Sequence, residues 1–310
     1  MKKIIYIMTM AMLIACQANT PNPAPEGEPL EDGFAYSNRT YPIVAGTLQA
    51  FNIHSSEMNR TMKVDIWLPA GYKEAKHRYP VLYMHDGQNC IKKAEYSNCS
   101  WGVDRTITQL GDKIDAPIVV MIYCNGSTRN ADYMPANWWE LLPEGQTSIT
   151  VPGENTIKKA NSKEYIDFIT ETLKPWVDKH YATLTDATHT VVAGSSMGAL
   201  VSVYAIQYRP DVFGGAMALS YPSLIEWWDW QQNTFSQQMP EANSVRLYID
   251  TGTGELDNTF FPQYNEILPT LRAAGWDEEH AICPIYKGAD HNEKAWAARL
   301  ATPMTYLFEK

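Results

Sequence analysis

Residues 188–207, THTVVAGSSMGALVSVYAIQ, restrict what this chain can fold into more than any other stretch. An apolar run at 191–193 enters Gly194-Ser195-Ser196-Met197-Gly198, and an apolar helical pattern follows at once. Strand, sharp turn and helix are the context in which G-x-S-x-G becomes a nucleophile elbow, with Ser196 at its apex. So tight a turn is expected to make any side chain flanking the serine collide with strand or helix, hence a glycine on each side. The five-residue pattern alone is a weak signal. Its weight comes from the apolar run that stops at the first glycine and the helix that starts after the serine.

Other apolar runs fall at 46–53, 62–68, 79–85, 116–124, 214–220, 245–250 and 280–287, and helical patterns at 102–110, 161–181, 260–274 and 292–308. YPVLYMH at 79–85 and APIVVMIYC at 116–124 are apolar throughout, as strands covered on both faces are. Such strands alternating with helices predict an α/β protein with a mainly parallel central sheet flanked by helices. With the elbow, the expectation is the α/β-hydrolase fold in a single domain over residues 36–310. Residues 125–160 form a long irregular stretch with Trp138 and Trp139 in it; loops of that length inside a domain are frequently functional.

A serine hydroxyl needs a base to take its proton and an acid to orient that base. In open α/β sheets the site lies beyond the carboxyl ends of the strands, and in this fold the chain order is serine, acid, histidine. Of the seven histidines, only His280 and His291 follow the candidate acids. His280 begins its strand and so sits on the wrong edge. His291, in the loop after that strand, is the expected base. The acid is expected after the run at 245–250, in Thr251-Gly252-Thr253-Gly254-Glu255-Leu256-Asp257. Glu255 is the first choice, with Asp257 and then Asp250 as alternatives. The oxyanion is expected to bind the N–H of Met197, the residue after the nucleophile, and an N–H from the loop opening at Asp86-Gly87-Gln88.

The 310 residues carry a formal charge of −10 and no Lys/Arg block longer than two, which excludes a polyanion partner such as nucleic acid. Lys2 and Lys3 precede an apolar segment at 4–15 that ends in Leu13-Ile14-Ala15-Cys16. That pattern is a short export signal resembling the bacterial lipobox. Residues 1–16 are therefore expected to be a lipoprotein signal, with Cys16 lipidated, and 17–35 a flexible tether. The expected location is the bacterial cell envelope, on the periplasmic or the outer surface, with membrane contact only through the lipid. Cys90 and Cys99 lie close together in a polar loop and are the expected disulfide pair, while Cys124 and Cys283 are expected to be buried free thiols. No cysteine spacing suggests a zinc site.

YPVLYMHDGQN at 79–89, Trp101-x-x-Asp104, GSSMGAL, DTGTGE and GADHNEKAWAARL together resemble the esterase-D-like α/β-hydrolases. These include feruloyl and acetyl carbohydrate esterases, siderophore esterases and mycolyltransferases. The likeness spans about residues 44–310. It implies that Gln88 supplies the second oxyanion N–H and that Asp86 contacts a sugar substrate. It also favours Glu255, since some members use glutamate. Ala199 departs from the second glycine that many members carry there.

The resemblance implies a carboxylic ester hydrolase with a Ser196–His291–Glu255 triad, no metal and no cofactor. Its expected substrates are acetyl or feruloyl esters of carbohydrates. Acyl transfer to a sugar acceptor by the same triad, or a surface binding protein that has kept only the fold, are the alternatives. Trp138, Trp139, Trp227, Trp228 and Trp230 are expected to roof the site, since aromatic faces suit sugars and phenolic acyl groups.

Overall fold

The computed structural model describes residues 29–73, 77–94, 97–151 and 156–310. The expected signal segment, Cys16 and the first part of the expected tether lie outside these residues. The end of the expected tether is part of the fold: Phe34–Ser37 (β1) pairs antiparallel with Thr47–Ser55 (β2). Phe34 is buried and stacks on Trp176 at 4.2 Å. An apolar ring with a place in the core moves the domain boundary ahead of residue 36.

From β2 the chain continues antiparallel into Arg60–Leu68 (β3). Val81–Met84 (β4), Ile118–Ile122 (β5), Thr190–Ser195 (β6), Gly215–Leu219 (β7), Arg246–Ile249 (β8) and Ala281–Ile282 (β9) complete the sheet. Its order is β1-β2-β3-β5-β4-β6-β7-β8-β9, with β5 onward all parallel. Strand residues point alternately to the two faces. Val81 and Tyr83 join one core with Val120 and Val192, while Leu82 and Met84 join another with Val119, Val191 and Ala193. Two cores, one on each face, explain why these strands are apolar throughout.

The strand order reverses between β4 and β6, and a crevice opens at that point beyond the strand ends. The loop after β4 and the elbow after β6 both emerge there. The expected strand at 280–287 is interrupted at Cys283-Pro284, where proline has no N–H for the ladder. Beyond the break, Ile285–Tyr286 pairs in parallel with Thr251–Gly252. This short second ladder carries the two loops that hold Asp257 and His291.

The helix expected at 161–181 spans 162–180, with a wide turn at Phe168–Leu173 ahead of Pro175, whose missing N–H leaves the Glu171 carbonyl without its usual donor. The one expected at 260–274 divides into Asp257–Tyr264 and Ile267–Ala273, and the last into Glu293–Arg299 and Ala301–Phe308. The expected Cys90–Cys99 bridge is not formed. Cys90 is buried, with its Sγ 3.8 Å from the carbonyl oxygens of His85 and of Asp86. Cys124 and Cys283 are half-buried free thiols, and burial pushes each up to about 12.

Candidate active site

Ser196 stands between β6 and the helix Met197–Tyr208 with φ 56° and ψ −125°, a strained conformation for a residue with a side chain. Its N–H bonds the Leu219 carbonyl of β7 at 3.0 Å, which pins the turn to the neighbouring strand. The two elbow glycines are not equivalent. A Cβ on Gly194 would lie 2.7 Å from the carbonyl carbon and oxygen of Gly198, whereas one on Gly198 would meet nothing nearer than Asp86 Oδ2 and His85 Cβ at 3.6 Å, an ordinary van der Waals distance. The expected collision therefore applies to the first glycine and not to the second.

His291 Nδ1 and Asp257 Oδ1 are 2.5 Å apart. Asp257 is fully buried, and its Oδ2 accepts the Ser220 hydroxyl at 2.6 Å and the Gly252 N–H at 2.7 Å. Burial alone would raise this carboxyl, but the bonds from His291, Ser220 and Gly252 outweigh it and hold the group below the usual carboxylate range. Glu255, the first choice from sequence, is exposed with φ 41°, and the contact to His291 belongs to Asp257. Asp250 is buried on Arg299 instead, Oδ2 to Nε at 2.9 Å. The reason lies in how the two loops press together. A Cβ on Gly252 would lie 2.1 Å from the Ala289 carbonyl oxygen, and one on Gly254 2.3 Å from Asp290 Oδ1. The chain turns outward at Glu255 and returns at Asp257, the first residue of its helix, where a carboxylate is favoured by the helix dipole. The His291 ring is held edge-on between Phe260 and Trp296, with centroids at 5.6 and 5.3 Å.

Asp86 adopts φ 53° and leads into a single helical turn, Gly87–Asn89. A Cβ on Gly87 would strike the backbone of Met121 at 2.6 Å, so this loop approaches β5 as only glycine permits. The Gln88 side chain is clipped to the end of β5, donating from Nε2 to Cys124 Sγ at 3.0 Å and accepting the Cys124 N–H at 3.2 Å. The N–H groups of Gln88 and Met197 belong to first helical turns, whose donors have no acceptor within the helix. Asp86 pairs with Arg129 through both carboxylate oxygens, at 2.9 and 2.8 Å. Burial would raise Asp86, and the guanidinium beside it holds it below its ordinary value. Burial likewise pushes His85 down to about 3, so this imidazole, bonded to the Tyr165 hydroxyl at 2.8 Å, is neutral.

Ser196, His291, Asp86, Gln88 and Arg129 all line one cleft of about 410 Å³, with Ser195, Asn89, Cys124, Leu256, Glu293, Trp101 and Trp296. The tryptophans expected to roof the site are elsewhere. Trp138 and Trp227 are fully buried in the core, with centroids 5.7 Å apart, and the Trp138 indole N–H donates to Thr234 Oγ1 at 3.2 Å. Trp139, Trp228 and Trp230 are half-buried and pack against that core. Trp101 and Trp296, 5.5 Å apart, are the tryptophans that reach the cleft. Both stood in quoted motifs without a role. Arg129 lay in the irregular stretch, where no pattern marked it.

The parallel sheet, its switch point and the strained serine elbow are those of an α/β-hydrolase. The chain belongs to the putative esterase family, whose model matches residues 55–307. It is 25% identical over 290 residues to an endo-1,4-beta-xylanase/feruloyl esterase of Xylanibacter ruminicola, covering 90% of this chain and 33% of that protein. It thus spans about a third of that relative's length. An uncharacterized Bacillus subtilis protein, YbbA, is 20% identical over 254 residues, 79% of this chain and 92% of that protein. Among solved structures, the enterobactin esterase of Shigella flexneri superposes with a TM-score of 0.60 at 18% identity, covering 86% of this chain and 60% of that one. A ferulic acid esterase superposes equally well, TM-score 0.60 at 18% identity, covering 85% and 98%.

Proposed function

We propose that this protein is a serine carboxylic ester hydrolase working through Ser196, His291 and Asp257. Ser196 Oγ attacks the ester carbonyl while His291 takes its proton, and the imidazolium returns that proton to the leaving alcohol. Asp257 Oδ1 holds the ring by its Nδ1–H and offsets the charge that forms there. The N–H groups of Gln88 and Met197 bind the oxyanion. A water then attacks the acyl-enzyme carbonyl, giving its proton to His291, and the acid leaves as Ser196 Oγ regains a proton. The reading rests above all on one observation: a histidine 2.5 Å from a buried carboxylate shares a cleft with the elbow serine.

The substrate class we assign is an acyl ester of a carbohydrate, acetyl or feruloyl. The feruloyl esterase name of the Xylanibacter relative supports it, as do the two indoles and the Asp86–Arg129 pair along the cleft. A panel of acetylated and feruloylated oligosaccharides set beside simple aryl esters tests it. The sugar esters should be preferred in kcat/KM. Preference for the aryl esters would remove the carbohydrate assignment, and acyl groups recovered on an added sugar rather than on water would make the enzyme a transferase.

A further inference from the structure

Asp257 offers one carboxylate oxygen to His291 and keeps the other for the protein. On that second oxygen, Oδ2, the Ser220 hydroxyl and the Gly252 N–H converge. Ser220 Oγ is itself approached by Trp296 Nε1 and by Arg299 Nη2, each at 2.8 Å. An indole N–H and a guanidinium N–H can only donate, and a hydroxyl has two lone pairs and one proton. With both lone pairs taken, the proton of Ser220 has one direction left, toward Asp257 Oδ2.

The donors that impose this are themselves fixed. Arg299 grips Asp250 through Nε and Nη2, each at 2.9 Å. Asp250 also accepts the Ser220 N–H at 2.7 Å and the Tyr248 hydroxyl at 3.0 Å. Tyr248 meets the Tyr286 hydroxyl at 2.9 Å, and the guanidinium lies 5.0 Å from the Tyr286 ring centroid. Ser220, Asp250, Asp257 and Arg299 are all buried, so these bonds act at low dielectric. Ser220 holds φ 44°, which costs a residue with a side chain energy and persists where its surroundings enforce it. Trp296 and Arg299, three residues apart, share one face of the helix Glu293–Arg299 that follows His291. A single helix and its entry loop therefore carry the base and both donors that aim the proton at its acid.

We propose that Ser220 is the positioning residue of the triad acid, its one proton locked onto Asp257 by Trp296 and Arg299. The catalytic consequence rests on the esterase reading, whereas the effect on His291 does not. Without the hydroxyl, Asp257 Oδ2 loses a donor, its negative charge is less offset, and the His291 imidazolium is favoured. Other charged or titratable groups face the pair: Asp250 and Arg299 behind Asp257, with Tyr248 and Tyr286 beyond them, Asp290 beside His291 in the chain, and Asp86, Arg129, Cys124 and Glu293 on the same cleft.

The test follows the His291 ring by NMR across a pH titration of the free, full-length protein, and kcat and KM on an aryl ester. In Ser220→Ala the His291 midpoint should rise by about half a pH unit or more. Its kcat should fall about ten- to a hundredfold with KM roughly unchanged, as for loss of an outer-shell partner. Arg299→Lys, which cannot hold Asp250 with a fork and bond Ser220 together, should shift the midpoint the same way and serves where Ser220→Ala does not fold. An unmoved midpoint in the variants that fold, whatever their thermal stability, overturns the proposal. A wild type that cleaves no ester while Ser220→Ala still moves the midpoint overturns the esterase reading and leaves the hydrogen-bond assignment standing.

Discussion

Glu255 and Asp257 sit two positions apart on one loop, and the choice between them turns on backbone conformation. Glu255 holds φ 41° and is exposed, while Asp257 begins a helix and points back beneath the loop to the Gly252 N–H. Residue type and spacing put Glu255 first, whereas the contact to His291 is made by Asp257. The close packing of Gly252 on Ala289 was not legible, because it joins loops far apart in the chain. Asp257→Asn should cut kcat by about three to four orders of magnitude, the scale for an acid that fixes a histidine tautomer. Glu255→Gln should leave steady-state kinetics on the same ester essentially unchanged. The reverse result would return the role to Glu255.

At the scale of elements, the central strands β4 to β8 were legible because each is a run of apolar residues facing two cores, whereas β1 fell in the expected tether. Their ends locate the loops, and so Ser196, His291 and Gln88 could be placed on one edge from sequence. The tryptophans could not. A tryptophan beside a long loop has the same local pattern whether it roofs a cleft or fills a core, and Trp138 and Trp227 fill the core. Arg129 belongs to a short helix, Arg129–Tyr133, inside the stretch read as irregular, and its role comes only from meeting Asp86. The elbow glycines make a sharper case. Gly194→Ala forces a methyl onto the Gly198 backbone and should destabilise by about 1–3 kcal/mol, the usual cost of overpacking. Gly198→Ala has room, lies in a helix without a positive φ, and should be neutral or stabilising by up to about 1 kcal/mol. Urea unfolding of the two variants checks this, and equal destabilisation would mean the turn tolerates neither.

Over the whole molecule, the sheet brings together groups that the sequence keeps far apart. Gln88 follows β4, Ser196 follows β6, and Asp257 and His291 follow the paired segments Thr251–Gly252 and Ile285–Tyr286; Gln88, Ser196 and His291 open on one cleft, with Asp257 buried behind His291. The GADHNEKAWAARL motif carries His291 together with Trp296 and Arg299, which bond Ser220 behind Asp257, so the stretch is a structural unit larger than its histidine. In the proposed function, this convergence makes Ser196 the nucleophile. Ser195 is the control, since it is the adjacent residue, ends β6 and lines the same cleft. The most direct measurement compares kcat/KM on a small aryl acetate for the wild type, Ser196→Ala and Ser195→Ala. Ser196→Ala should lose at least about a thousandfold, and Ser195→Ala should stay within about tenfold of wild type. Wild-type turnover in Ser196→Ala would contradict the nucleophile assignment.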